Sequence, residues 1–208
     1  MKRKSFLLAV LIGIVLWTGI AAEEKVLTIP YSKQDRAYAC GQNSFLMIMG
    51  YWGSGLTKRE LFGMTGYNPT TSKFFQDIVA DKFQEYSYEE IERGIGNVIA
   101  AIDAERPVMM EVDALFLPYI DYGTSAGHYI VAVGYNTEDE VIYIRDPNSP
   151  YVESINYNEL EEAWKGPRKK IYTIYRKDGN FVPPGEIQHF SDEAKPFGAE
   201  KEERTTPF

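Results

Sequence analysis

Four residues carry side chains suited to acyl transfer: Gln34, Cys40, His128 and Asp146. Cys40 is the only cysteine of the chain. It falls where the stretch QDRAYACGQNSFLMIMGYWG, residues 34–53, passes from a Gly-containing turn into an amphipathic helical pattern. A thiol in the first turn of a helix sits at the positive end of the helix dipole, which favours thiolate over thiol. A thiolate needs a base and a counter-charge, and the chain offers two histidines. His189 lies in a polar stretch and reads as a surface residue. His128 opens the apolar run HYIVAVGY directly after Gly127. Taken singly, Cys40 reads equally as a buried cysteine and His128 as a structural strand end; together they suggest a nucleophile and its base.

Asp146 adds a third member. HYIVAVGY and VIYIRD, residues 141–146, are expected to form a hairpin. A loop with an odd number of residues, such as Asn136–Glu140, would set His128 and Asp146 on the same face, opposed or one diagonal step apart. Core packing gives no reason for an aspartate after Val141, Ile142, Tyr143 and Ile144. Asp146-Pro147-Asn148 also favours a turn, and the two roles are compatible. Gln34, six positions before Cys40, could supply a side-chain amide to a developing oxyanion, beside the backbone N–H of Cys40.

The elements that must position these residues follow from periodicity. Phe45, Met49 and Trp52 recur at helical spacing after Cys40, widened by Leu46 and Ile48. Thr57–Glu60 fits a capping box, with Gly66 as a stop. A third helix is expected over Ser72–Phe83. Ser87–Glu90 reads as a second capping box, followed by a helical stripe of Ile91, Ile95, Val98, Ile99 and Ile102 that Pro107 ends. The second half changes period: residues 108–114, 128–135, 141–146 and 170–176 are β-branched and aromatic, as strands are. Asn158–Trp164 reads as a brief helix before the last of them. Helices first and antiparallel strands second predict an α+β domain.

Composition narrows the function classes. The chain has 208 residues and a net charge of −8. Residues 1–22 run basic (Lys2, Arg3, Lys4), then apolar from Phe6 to Trp17, then small, as a secretory signal peptide does. The apolar run is short for a membrane span, and an uncleaved N-terminal anchor is the alternative. Cleavage near Glu23 would leave an exported protein with no stable membrane span, more acidic by three lost positive charges. Such a chain is a poor partner for nucleic acid. One cysteine forms no internal disulfide, so the fold relies on its core. Nothing clusters as metal ligands, and neither metal nor cofactor is expected. Asp121, Tyr122, Thr124 and Ser125 precede His128 in a loop that reads either as cleft lining or as plain surface. Residues 181–208 are polar and aperiodic and are expected to be a loosely ordered tail after a domain over 23–180.

The stretches IPYSKQDRAYACGQNSFLMIMGYWG, GHYIVAVGYN and VIYIRDPNSPY, followed by a short helix with Trp164, resemble the C39-type peptidases, a branch of the papain-like cysteine proteases. The resemblance spans Val26 to Arg176. It implies a papain-like α+β fold, with Cys40 as nucleophile, His128 as general base, Asp146 as its orienting partner and Gln34 in the oxyanion hole. It implies an exported, standalone cysteine peptidase acting on a peptide or protein, with an export system as a partner. Known members cut double-glycine leaders and are fused to transporters; this chain carries neither a transporter span nor a G-x4-G-K-[ST] loop. Two alternatives stay open: a peptidyl or acyl transferase using the same residues, and a non-catalytic peptide-binding module.

Overall fold

The computed structural model describes residues 23–66, 71–123, 125–166 and 169–179. The expected signal peptide and C-terminal tail lie outside the described residues. The elements are β1 (Glu24–Val26), α1 (Cys40–Tyr51), α2 (Lys58–Thr65), α3 (Ser72–Lys82), β2 (Tyr86–Ile91), α4 (Ile95–Asp103), β3 (Val108–Asp113), β4 (Gly127–Asn136), β5 (Val141–Arg145), β6 (Val152–Asn156), α5 (Tyr157–Ala163) and β7 (Ile171–Arg176). The strands form one sheet in the order β2-β7-β3-β4-β5-β6. Every pairing is antiparallel, and β1 joins β4 at Gly134–Asn136, beyond the reach of β3. The α+β arrangement is the one expected, although β1 and β2 place strands in the helical half.

Helix α1 is the centre of the molecule. Phe45 through Met49 are fully buried, and so are Gln42, Asn43 and Ser44 on its other faces. The amphipathic reading therefore needs correction, because α1 is enclosed on every side. Two of its buried polar side chains are tied in: Asn43 Nδ2 donates to Ala39 O at 2.7 Å, and Ser44 Oγ to Tyr129 O at 3.0 Å. The second bond fastens α1 to the strand that carries His128.

The expected capping box at Thr57 is present, with Glu60 N donating to Thr57 Oγ1 and Thr57 N to Glu60 Oε2. The one expected at Ser87–Glu90 is not. Those residues belong to β2, which pairs with β7 from Tyr86↔Arg176 to Ile91↔Ile171. Alternation explains the strand: Tyr86 is buried, and the Tyr88 ring lies 4.8 Å from that of Tyr172. Long-range pairing outweighs a local helix-start pattern here. The helix itself begins later, at Ile95, with Val98 and Ile102 buried as the stripe required.

The hairpin β4–β5 decides where His128 and Asp146 meet. Its loop is residues 137–140, one residue shorter than expected and even in number. An unbroken ladder from such a loop would put His128 and Asp146 on opposite faces. The ladder is broken. Asn136↔Val141, Tyr135↔Ile142 and Gly134↔Tyr143 pair in one register, then Ala132↔Ile144 and Val131↔Arg145 in the next. Val133 is the extra residue of a β-bulge. One step past Val131↔Arg145, Asp146 comes opposite Ile130, diagonal to His128 and on its face. Gly134, beside the bulge, has no room for a side chain, since a Cβ there would lie 2.4 Å from Lys25 O in β1.

Candidate active site

Cys40 is the first residue of α1, and its cap residue Ala39 offers no side-chain acceptor. The N–H groups of the first turn are thus left to whatever the thiol or a bound group presents. Just upstream, Tyr38 is 68% exposed and adopts φ 63°, a left-handed conformation unusual for a bulky residue. The Cys40 sulfur is held by the backbone N–H groups of Tyr129 and Gly41 and by His128. Burial pushes the thiol up, but these hydrogen bonds and the charge of His128 outweigh it, and Cys40 ionises below its ordinary value.

His128, near the start of β4, is buried, and its Nε2 lies 2.9 Å from Asp146 Oδ1. That leaves Nδ1 as the nitrogen facing the thiol. Burial alone would hold the imidazole neutral. The hydrogen bonds to Asp146 and Cys40 reverse this and push its pKa up to about 9. A lowered thiol and a raised imidazole in contact both favour the thiolate–imidazolium form of the pair.

Asp146 follows β5 and is fully buried. Besides His128, its carboxylate accepts from Asn148 N at 2.7 Å and from Tyr119 OH at 3.2 Å. Burial and the neighbouring Asp146 hold Tyr119 protonated, so it stays a donor. A buried carboxylate with this many donors is fixed in place. Tyr122 OH lies 3.1 Å from His128 Nε2, and Asn148 Nδ2 donates to Tyr122 OH at 2.8 Å.

The structure thus joins Cys40, His128 and Asp146 in one hydrogen-bonded chain. Gln34 arrives by a different route. Its N–H donates to Pro147 O at 2.8 Å, and Tyr31 OH donates to the same carbonyl at 3.0 Å. The loop of Gln34 is therefore fastened to the residue after Asp146. Gln34 Oε1 is buried without a hydrogen-bond partner, and among the described residues no hydrogen bond joins its side chain to Cys40 or His128.

Sequence reasoning missed three neighbours of the site. Tyr119 was hidden among many tyrosines that packing explains. Tyr122 reads from the sequence either as cleft lining or as plain surface, not as a partner of His128. Asn148 read as part of a turn, and that turn was the available signal, because the Asn148 N–H closes back onto Asp146 Oδ1. Of the other loop residues, Ser125 and Asp121 bond away from the site: Ser125 Oγ donates to Asp113 Oδ2, and Gly123 N to Asp121 Oδ1. Among the described residues no three His, Cys, Asp or Glu side chains gather as for a metal ion, and no helix is long and apolar enough to cross a membrane.

Solved structures share the architecture. A protein from Bacillus anthracis described as a C39-like peptidase superposes with a TM-score of 0.57 at 17% identity, over 74% of this chain and 98% of that one. A double-glycine-motif protease from an AMS/PCAT transporter, in complex with its leader peptide, gives 0.52 at 13%, over 71% and 93%. The peptidase domain of Streptococcus ComA, a bifunctional ABC transporter of a quorum-sensing pathway, gives 0.50 at 18%, over 69% and 96%. At these identities the likeness shows the fold, which is papain-like. A search among curated proteins returns no match. The sequence itself supplies the family: its residues 26–172, from the end of β1 into β7, match the Peptidase_C39 like family, and the chain belongs to it.

Proposed function

We propose that this protein is a cysteine peptidase that hydrolyses a peptide bond through a thioester on Cys40. The observation that carries this reading is the hydrogen-bonded chain from Cys40 through His128 to Asp146 at the open end of a buried helix. Cys40 Sγ attacks the carbonyl carbon, and the displaced electron pair moves to the oxygen, which faces Cys40 N–H and the Gln34 side-chain amide. His128 gives its Nδ1 proton to the leaving nitrogen, the C–N bond breaks, and a thioester remains. Water then attacks as His128 takes its proton, and the thiolate leaves. Asp146 keeps the imidazole oriented through Nε2 and balances its charge.

The substrate is a peptide or protein. Family membership supports this, as does a structural neighbour described in complex with a leader peptide. Residues 1–22 act as an export signal, the peptidase domain covers 23–180, and 181–208 is a tail. The fold uses the chain from Glu23 onward: Thr137 N donates to Glu23 O at 2.9 Å, and β1 follows at once. The mature protein works outside the cytoplasm as a standalone enzyme, with an export system as its partner.

The test is turnover of a broad peptide library by the full chain and by Cys40→Ala, with thermal unfolding as a control. Wild type is expected to cleave and to form a covalent acyl adduct visible by mass spectrometry, whereas Cys40→Ala does neither while remaining folded. Cleavage by Cys40→Ala at the wild-type rate removes the nucleophile assignment.

A further inference from the structure

Two contacts converge on one atom of His128, and a single nitrogen holds only one proton or one lone pair. Nε2 lies 2.9 Å from Asp146 Oδ1 and 3.1 Å from Tyr122 OH. The Asp146 carboxylate already accepts from Tyr119 and Asn148, so toward Nε2 it is again the acceptor and Nε2 carries the proton. The Tyr122 oxygen must then receive from that N–H rather than give to it. Asn148 prepares it for this role. Its Nδ2 donates to Tyr122 OH at 2.8 Å, occupying one lone pair, while its backbone N–H donates to Asp146 Oδ1 at 2.7 Å. His128, Asp146, Asn148 and Tyr122 close a ring of hydrogen bonds, with the Tyr122 and His128 rings 5.2 Å apart.

We propose that Tyr122 and Asn148 are positioning residues that hold the proton on Nε2 of His128 and so reserve Nδ1 for Cys40. This rests on the peptidase reading above. Asp146 and Cys40 each meet the imidazole at one nitrogen, Asp146 at the Nε2–H. A second acceptor on the same N–H fixes the ring plane, and a flip that exchanged Nδ1 with Nε2 would lose both acceptors at once. The groups facing His128 are Cys40 from α1, Tyr119 and Tyr122 from the segment before β4, and Asp146 and Asn148 from the segment after β5. Asn148 acts through Tyr122: its side chain bonds Tyr122, whereas Asp146 is reached by its backbone N–H, which no side-chain substitution removes.

The experiment reads the imidazole directly, by proton–nitrogen correlation spectra across pH, in the full chain; His128→Ala identifies the signal. Wild type should show His128 protonated on Nε2 and titrating near pH 9. Tyr122→Phe keeps the ring and loses the oxygen, and should lower the midpoint by about 0.5–1 unit, because the same Nε2–H bonds its acceptor more strongly when the imidazole is charged than when it is neutral. Asn148→Ala should lower it less, and the double variant should match Tyr122→Phe alone. A merely structural role would lower the melting temperature without moving the titration. A folded Tyr122→Phe protein whose midpoint stays within about 0.2 unit of wild type, or shifts that simply add in the double variant, overturns the proposal. Should Tyr122→Phe fail to fold, Asn148→Ala decides alone: a lowered midpoint supports the proposal and an unmoved one overturns it. The readout needs no substrate, so a protein that cleaves nothing would sink the peptidase reading while the titration still judges this one.

Discussion

Cys40 reaches the site through one local event, the start of α1, whereas His128 and Asp146, 18 residues apart, reach it through a hairpin whose register slips between them. On the helix side the controlling features lie within a few residues of the thiol: an uncapped first turn, an enclosed helix behind it, and Gln34 in the loop before it. On the sheet side local contacts, the Asn148 turn onto Asp146 and Tyr122 beside His128, work only once the strands have paired. The imidazole is aimed by a bulge at Val133, by a carboxylate past the end of β5, and by tyrosines from a separate segment. The thiol meets the sheet through Tyr129 of β4, while an imidazole built on a hairpin is only as well placed as the pairing behind it.

Substitutions on the two sides should therefore fail differently. Apart from loss of the nucleophile itself, the largest effect is expected from Asp146→Asn, which removes no residue of the helix side and should lower kcat/KM by about 10³–10⁴-fold. The pH profile reveals the cause. In wild type, activity is expected to rise as Cys40 ionises and to fall as His128 loses its proton near pH 9. Without the aspartate charge, His128 holds its proton less firmly and Cys40 ionises less readily. The upper limb should move down and the lower limb up. An activity loss with both limbs unmoved would mean that Asp146 does not act through His128.

Gln34→Ala tests the helix side. It should lower kcat by roughly 10²–10³-fold with KM almost unchanged, because its amide is used mainly in the transition state. Both limbs of the pH profile should stay where they are, in contrast to Asp146→Asn. A rise in KM with kcat preserved would assign Gln34 to substrate binding instead.

The smallest expected effect on chemistry comes from Gly134→Ala, far from the reacting atoms. An added Cβ meets Lys25 O at 2.4 Å and Val26 Cα at 2.9 Å, both backbone atoms that cannot swing aside. Destabilisation of about 1–3 kcal/mol is expected, read by urea unfolding. Cys40 alkylation should persist in the folded variant. Wild-type stability in Gly134→Ala would show that β1 does not press on β4.

Much of this was readable from the sequence, and the exceptions have physical causes. The start of α1, the Thr57 capping box and strands β3, β4, β5 and β7 follow from local pattern. Strand β2 does not, because Ser87–Glu90 satisfies a helix-start rule and only a partner eighty-odd positions on, in β7, overrides it. That His128 and Asp146 share a face was expected for the wrong reason. The loop is even, and the bulge at Val133 restores the phase that an odd loop would have given. Bulges leave little trace in composition beyond a glycine, here Gly134. Tyr119 and Tyr122 escaped because a tyrosine reads as packing until the acceptor for its hydroxyl is known.

The carbonyl of Pro147 has a further consequence. It accepts from Tyr31 OH and from Gln34 N–H, while the next residue closes onto Asp146. The segment that would receive the oxyanion and the segment that holds Asp146 are thus tied through one carbonyl and are expected to open together rather than in sequence. A fluctuation that frees Pro147 disarms both halves of the site at once. On the proposed reading, thermal motion there would cost time spent disassembled rather than chemistry begun at a half-built site.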